Sequence, residues 1–204
     1  MRIKRMPARI DAKQRRQHVI ESAFRLIEAE GIEGLTLRKV ADAANLNIGS
    51  VRHFFNGAED LLTAAAEEAG NRMGQRLMHH PVEQLRGLTG ESALTALQHL
   101  LEQVLPVDKD RRSESIVVLE LIRASRTQTV FASPAAQMGS DLHDIITAAL
   151  ACLEVPNPSA AARQISALVG GLTLDTVTPH GALTVYQLRS TLRDALRTLL
   201  KIER

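Results

Sequence analysis

The sequence predicts an all-α protein of about nine helices. Aromatic residues make up only 2% of the 204 positions, with no Trp and one Tyr, while Ala and Leu are abundant. Strands favour aromatic and β-branched residues whereas helices favour Ala and Leu, so this composition indicates helix packing. Apolar residues also recur at intervals of three and four along nearly the whole chain, which is the spacing of one helix face.

Three helices, the second and third of them short, are predicted before residue 57 from their end signals. A helix begins after a side chain that can accept a hydrogen bond from a free backbone N–H, and it ends at a residue that tolerates a left-handed turn. Asn45 is expected to adopt that conformation between the second and third helices. The first helix has Asp11 with Gln14 as a capping box and ends at Gly31, the second spans 37–44 after Thr36, and the third spans 48–54 after Asn47.

Six further helices are predicted after residue 57. Proline disfavours helical backbone at the preceding residue, so Pro81 and Pro106 end the helices before them. Asp108 is placed to cap the helix that follows it. The six helices are expected at 57–80, 91–105, 109–127, 134–154, 159–178 and 184–203.

Charge is distributed unevenly between an N-terminal region, 1–57, and a C-terminal region, 58–204. The first has 11 Lys and Arg against 6 Asp and Glu, a net charge of +5, whereas the remaining 14 and 17 give −3. A positive end on a slightly acidic remainder predicts that the N-terminal domain contacts a polyanion and that the C-terminal domain has another role. A merely solvated basic arm is the alternative.

Several protein classes are disfavoured by what the sequence lacks. No run of 18 apolar residues can span a membrane, and the basic N-terminal stretch lacks the apolar segment of a secretory signal, so we expect a cytoplasmic protein. The single Cys152 lies among apolar residues, which predicts a buried thiol. There is no Gly-rich phosphate loop, HExxH or CxxC, and His79 and His80 would point apart on a helix. We therefore expect no catalysis, no cofactor and no metal.

The third predicted helix, in "NLNIGSVRHFFNG", combines apolar and polar residues in the pattern of a recognition helix. Because helical residues turn by about 100° each, Val51, Phe54 and Phe55 share an inward face. The small residues let backbone approach a duplex, and an Arg can match guanine in the major groove. The pattern predicts a helix-turn-helix, with an ordinary three-helix scaffold as the alternative. The outward face carries Gly49, Ser50, Arg52 and His53, with Ile48 at its edge.

Residues 34–62, "GLTLRKVADAANLNIGSVRHFFNGAEDLL", resemble the DNA-binding segment of the tetracycline-repressor family of bacterial regulators. The turn, the glycine and the second Phe of the pattern fall in register. The resemblance implies that the second helix holds phosphate through Thr36 and Arg38. It also implies that the third helix presents Ile48, Ser50, Arg52 and His53 to the major groove, with Gly49 allowing close approach.

Two positions depart from the family pattern, which usually has Tyr where Arg52 stands and Lys where Ala58 stands. One common phosphate contact is therefore missing. The basic arm is expected to compensate through phosphates or the minor groove, by way of Arg5, Arg9 and Lys13. The missing Lys favours an alternative, a helical protein-interaction dimer with a degenerate helix-turn-helix. A further alternative is an enzyme with its cleft between the sixth and seventh helices.

The last two predicted helices carry apolar residues on more than one face, which predicts a homodimer. Pairing would let two heads read two half-sites of double-stranded DNA. The resemblance implies the same arrangement, a four-helix dimer bundle, and the alternative is that both faces are covered within one chain. The expected dimer residues are Ile165, Leu168, Val169, Leu172, Leu188, Leu192, Leu196 and Leu199.

The middle helices resemble, more loosely, those of a subgroup that includes a choline/betaine-pathway regulator. The family resemblance implies a repressor released from a partly palindromic operator by a small-molecule effector. A quaternary ammonium ligand would need aromatic rings, and this region has only Phe131 and Tyr186, so that ligand is not carried over. The candidate ligand-binding residues, each with an ordinary core or surface role as the alternative, are Met73, Leu77, His99, Val104, Val118, Leu121, Ile122, Arg123, His143 and Ile146, with Glu120 as a further polar contact.

Overall fold

A computed structural model describes residues 12–202, and in this range the protein is helical without any strand, which confirms the all-α prediction. Three short 3-10 helices, at Ile32–Gly34, Val82–Leu85 and Thr129–Phe131, were not predicted. The nine α-helices within the described range are α1 (Ala12–Glu30), α2 (Leu37–Ala43), α3 (Ile48–Arg52), α4 (Ala58–Met78), α5 (Gly90–Leu101), α6 (Lys109–Ser125), α7 (Ala132–Cys152), α8 (Pro158–Val177) and α9 (Val185–Leu199).

Helix starts agree with the capping residues better than helix ends do. Asp108 Oδ1 accepts the N–H of Arg111 at 2.9 Å and begins α6 as predicted. Thr184 begins α9 within a capping box. In contrast, α5 ends at Leu101 and the chain turns through residues 102–105. The predicted stop at Pro106 acts only on the residue before it, Leu105, and so does not explain the earlier end at Leu101.

The chain divides into two compact units, and the division falls between Ala65 and Ala66, within α4. The first unit contains α1 to α3 and the first turns of α4. The second unit contains the rest of α4 and α5 to α9. The predicted boundary at Gly57 divides the chain by function, into a DNA-binding domain and a domain with another role. It stays a prediction.

The first unit has its own apolar core. Val40 of α2 and Val51 of α3 are both 0% exposed. Burying one such side chain stabilises a fold by about 1.5–3 kcal/mol, so packing holds two helices that are too short to persist alone. The other core residues of this unit include Val19, Ile20, Ala23, Phe24, Ile27, Leu35, Ala41, Phe55, Leu61 and Leu62.

The core of the second unit is built mainly from α5, α7, α8 and α9. Arg193 Nη1 donates to Gln98 Oε1 at 2.8 Å, and Arg189 Nη2 donates to Glu102 Oε2 at 3.0 Å, so polar pairs join α5 and the residue after it to α9 beside this core. Cys152 is partly buried rather than fully buried as predicted. None of the helices in the described part of the chain is both long enough and apolar enough for a bilayer crossing.

Candidate DNA-binding surface and ligand cavity

The short helix α2 is held at both ends. At its start, Thr36 Oγ1 accepts the N–H of Lys39 at 3.2 Å, which is the predicted cap. At its end, two α1 side chains donate to backbone carbonyls that the helix leaves unpaired: His18 Nε2 to Ala44 at 2.8 Å and Arg25 Nη2 to Ala43 at 3.4 Å. Free carbonyls at a helix end need such donors, so α1 fixes the position of α2.

The turn between α2 and α3 has the predicted left-handed residue. Asn45 has a φ of 53°, and the next N–H, that of Leu46, donates to the carbonyl of Ala41 at 2.9 Å. This pairing closes the C-terminal end of α2. Ala41 and Ala44 are 2% and 3% exposed, so their small side chains lie in the core between the helices.

Helix α3 begins at its predicted cap and buries only part of its predicted inward face. Asn47 Oδ1 accepts the N–H of Ser50 at 2.8 Å and its hydroxyl at 3.1 Å. Val51 and Phe55 are buried, but Phe54 is only partly buried. Because α3 ends at Arg52, Phe54 leaves the helical face, and its ring lies edge-on to His53 with centroids 5.0 Å apart.

The predicted outward face of α3 is exposed. Ile48 is 38% exposed, and Gly49, Arg52 and His53 are also exposed, whereas Ser50 is intermediate. Gly49, Arg52 and His53 share the side of the helix away from Val51, because they are three and four residues apart, and Ile48 lies at the edge of this surface. An apolar side chain at the edge, a glycine that exposes the backbone and two side chains with N–H donors can together contact base edges and phosphates.

The other predicted DNA contacts lie on α1 and α2 or outside the described residues. Thr36 and Arg38 are exposed near the start of α2, and Lys13 is exposed in the first turn of α1. Arg5 and Arg9 lie outside the described residues. One stabilising contact was not predicted: the guanidinium of Arg16 lies 5.1 Å from the centre of the Phe55 ring.

The second unit contains a cavity of about 610 Å³. Its wall is formed by α4, α6, α7 and α8, with Val104 from the segment after α5. This volume is in the range of small-molecule sites. Five of the predicted ligand-binding residues line it, namely Met73, Leu77, Val104, Val118 and Ile122.

The other five predicted ligand-binding residues are not in this wall. Leu121 and Ile146 are 0% exposed and belong to the core, so their apolar periodicity reflects packing. His99 is exposed. Arg123 Nη2 donates to Glu120 Oε2 at 2.8 Å on the outer side of α6. His143 Nε2 lies 3.2 Å from Ser159 Oγ.

Several residues of the cavity wall were not predicted from the sequence. Asp141 and Asp144 of α7 line the cavity, as do Ser115 of α6 and Ser166 of α8. The spacing along the sequence could have indicated the two aspartates, because they share a helix face with Met138 and Ile145 at intervals of three and four residues. Four glycines, Gly70, Gly74, Gly139 and Gly170, complete the wall and enlarge it by leaving out side chains.

Most of the predicted dimer residues are core residues of the single chain, which corrects that prediction. Leu188, Leu192 and Leu196 are 0% exposed, and Ile165, Val169 and Leu172 are at most 5% exposed. A side chain covered within its own chain cannot also form an outer contact surface. Leu168 and Leu199 are partly exposed and line a depression of about 310 Å³ between α8 and α9.

Residues 19–65 match the family described as bacterial regulatory proteins, tetR family, and residues 93–201 match the C-terminal domain of BetI-type transcriptional repressors. A relative, the HTH-type transcriptional regulator PksA of Bacillus subtilis, is 34% identical over 99 residues. That match covers 48% of this chain and 46% of PksA, so the chain spans about half the length of this curated relative.

Two solved structures support the fold. A transcriptional regulator from Rhodococcus, RHA1_ro04179, superposes with a TM-score of 0.80 at 23% identity, covering 91% of this chain and 95% of that one. The multidrug binding protein EbrR complexed with proflavin gives a TM-score of 0.61 at 24% identity, covering 91% and 99%. With its two domain matches together spanning most of its length, this chain belongs to the tetR family of bacterial regulatory proteins.

Proposed function

We propose that the protein is a cytoplasmic transcriptional repressor that binds a partly palindromic operator as a homodimer and is released by a small-molecule effector. The observation that carries the DNA-binding part is the exposed outer face of α3, which presents Arg52 and His53 while Val51 on the opposite side is buried. The match to BetI-type transcriptional repressors supports the direction of regulation. Catalysis has no part in this proposal.

In the proposed complex, α3 enters the major groove and α2 contacts the backbone. Arg52 donates to a guanine edge or a phosphate, and His53 donates beside it, while Gly49 lets the helix approach. Thr36 and Arg38 hold a phosphate. Because Ala58 offers no charge at the start of α4, we expect the basic arm, with Arg5, Arg9 and Lys13, to supply the remaining phosphate contacts.

Dimer formation is proposed through the exposed side of α8 and α9. Leu168 and Leu199 give this side an apolar patch that also includes Ala195. A single head contacts few base pairs, so two heads joined in this way would read two half-sites.

The effector would enter the cavity of the second unit and favour a conformation in which both α3 helices no longer fit adjacent half-sites. This release requires that the effector binds the two conformations with unequal affinity. EbrR, complexed with proflavin, supports this use of such a fold.

The test is operator selection from genomic DNA, followed by binding measurements with the selected site. Arg52→Ala/His53→Ala should weaken operator binding by tenfold or more, since a good base contact is worth about 1–3 kcal/mol, and should leave folding and dimer formation intact. Arg126→Ala/His79→Ala is the matched control, because it removes the same two residue types from exposed positions in the second unit.

Two outcomes would contradict the proposal. If the wild-type protein selects no sequence, or if the α3 variant binds as the control does, the surface does not read DNA. A stable dimer without DNA selection would favour the protein-interaction alternative.

A further inference from the structure

The charged residues of the cavity wall are all acidic. It contains two carboxylates, Asp141 and Asp144, and no Lys, Arg or His. Both carboxylates lie on α7 and are exposed, so they sit where the wall meets solvent. Asp141 Oδ1 accepts a hydrogen bond from Gln137 at 2.7 Å, and no cation in residues 12–202 forms an ion pair with either carboxylate. The wall can therefore take a positive charge from a ligand.

Apart from Thr173 and the four glycines, the rest of the wall consists of apolar side chains and two hydroxyls without hydrogen-bond partners in the described part of the chain. Two hydroxyls in it, Ser115 Oγ and Ser166 Oγ, are buried and have no hydrogen-bond partner among the described residues. Buried polar groups without a partner are costly, so a ligand that offers them one gains affinity. The ten apolar wall residues are Met73, Leu77, Val104, Val118, Leu119, Ile122, Met138, Leu142, Ile145 and Val169.

The wall also discriminates between kinds of cation. It contains no aromatic residue; Phe131 is 0% exposed in the core, and Tyr186 is 80% exposed elsewhere. A quaternary ammonium relies on aromatic faces and has no N–H to donate. A primary or secondary ammonium can donate directly to a carboxylate, which is the stronger kind of hydrogen bond.

We propose that the ligand of this cavity is a lipophilic amine. Its hydrocarbon part fills the apolar wall, and its protonated nitrogen donates to Asp141 or Asp144. An anion would be repelled by both carboxylates and would meet no positive group in the wall. The inference rests on the proposed function only in treating this cavity as the effector site, because the binding chemistry follows from the wall itself.

The experiment is calorimetric titration of the full chain with four decyl compounds below their micelle concentrations: decylamine, decanol, decanoate and decyltrimethylammonium. We expect decylamine to bind about three- to fivefold more tightly than decanol and decyltrimethylammonium, the effect of about one charged hydrogen bond at an exposed carboxylate. Decanoate should bind most weakly. Equal or tighter binding of decanoate or decanol, or no binding of decylamine, would overturn the inference.

Substitutions of the two wall aspartates test whether they bind the amine. Asp141→Asn/Asp144→Asn should weaken decylamine binding about three- to fivefold and leave decanol binding unchanged. Asp110→Asn, an exposed aspartate of α6 outside the wall, should change neither. If the double variant binds decylamine as the wild type does, the carboxylates are not the amine site and the inference fails.

Operator release is measured separately, by adding decylamine to the DNA complex. Binding of the amine without release keeps the ligand chemistry and removes the proposed regulation. If decanoate releases the operator and decylamine does not bind, the proposed regulation is kept and the amine ligand is rejected.

Discussion

Arg76 of α4 and Glu114 of α6 form a two-point ion pair, with Nη1 and Oε1 3.0 Å apart. The Glu114 side chain is 1% exposed and that of Arg76 is 25% exposed. Arg76 Nε also donates to the carbonyl of Gln103 at 3.1 Å. Their chain neighbours Leu77 and Ser115 line the cavity, so this pair ties two of its walls together.

Removing Arg76 should destabilise the second unit strongly. Arg76→Ala leaves the Glu114 carboxylate buried without its partner, and breaking a buried pair in this way costs about 3–5 kcal/mol, with the lower value expected because Arg76 is partly exposed. Urea denaturation measures the change. Arg123→Ala is the control, since its pair with Glu120 is more exposed and such pairs contribute only about 0–1 kcal/mol. Equal losses in the two variants would mean that the Arg76 pair contributes no more than a surface pair.

The cap of α3 allows stability and DNA binding to be separated. Asn47→Ala should lower the free energy of unfolding by about 1 kcal/mol, because the N–H of Ser50 loses its acceptor. Asn47→Asp keeps an acceptor at that position and should keep the stability. It adds a negative charge next to the proposed DNA surface, so we expect weaker operator binding and a changed salt dependence. If Asn47→Asp binds the operator as tightly as the wild type, α3 does not lie against DNA.

Glu91 of α5 should make stability depend on pH. The hydrogen bond from Arg197 is the main cause that lowers the pKa of its carboxyl from the ordinary 4.5; desolvation opposes it, and the charges of Arg197 and Arg193 add to it. A carboxyl whose pKa is lower in the folded state stabilises above its unfolded pKa, and the contribution is lost as the pH falls through the folded pKa.

Glu91→Gln should therefore be less stable than the wild type at pH 7, and the difference should shrink as the pH falls below 4.5. Thermal unfolding between pH 7 and pH 3 measures it. Glu67→Gln, at an exposed carboxylate without an ion pair in the described residues, is the control. A difference that stays constant with pH would show that the charge of Glu91 is not responsible.

The residues that were predicted correctly act locally. Thr36, Asn47 and Asp108 bond to backbone three residues away, and the left-handed Asn45 follows from its own side chain, so sequence alone indicates them. The cavity depends on how four helices meet, and an apolar stripe does not say which of its members face a gap. Leu121 and Val118 belong to the same apolar pattern, yet only Val118 lines the cavity.

The apolar pattern of α8 and α9 misled for the same reason. Periodicity reports that Leu188 and Leu192 are buried but not by which chain, and here the chain itself buries them. The carboxylates of the cavity were overlooked because acidic residues on a helix usually face solvent.

The glycines of the cavity wall give a test of its size. An added Cβ at Gly74, Gly139 or Gly170 meets no atom within 4 Å, and none of the three has a positive φ. Alanine should therefore fit, and it should stabilise each helix by about 0.5–1 kcal/mol relative to glycine. The new methyl groups would occupy cavity space, so the triple alanine variant should bind the bulky didecylamine severalfold less tightly, with a smaller change for decylamine.

Gly171→Ala is the matched control for Gly170→Ala. Both glycines lie in α8 with open space at the Cβ position, but only Gly170 lines the cavity. Both substitutions should raise the melting temperature by a similar amount, because alanine reduces the backbone freedom of the unfolded chain equally at the two positions. Only Gly170→Ala should weaken didecylamine binding in calorimetry. Similar losses of affinity in the two variants would show that the ligand does not contact this wall, and that the effect comes from a stiffer α8.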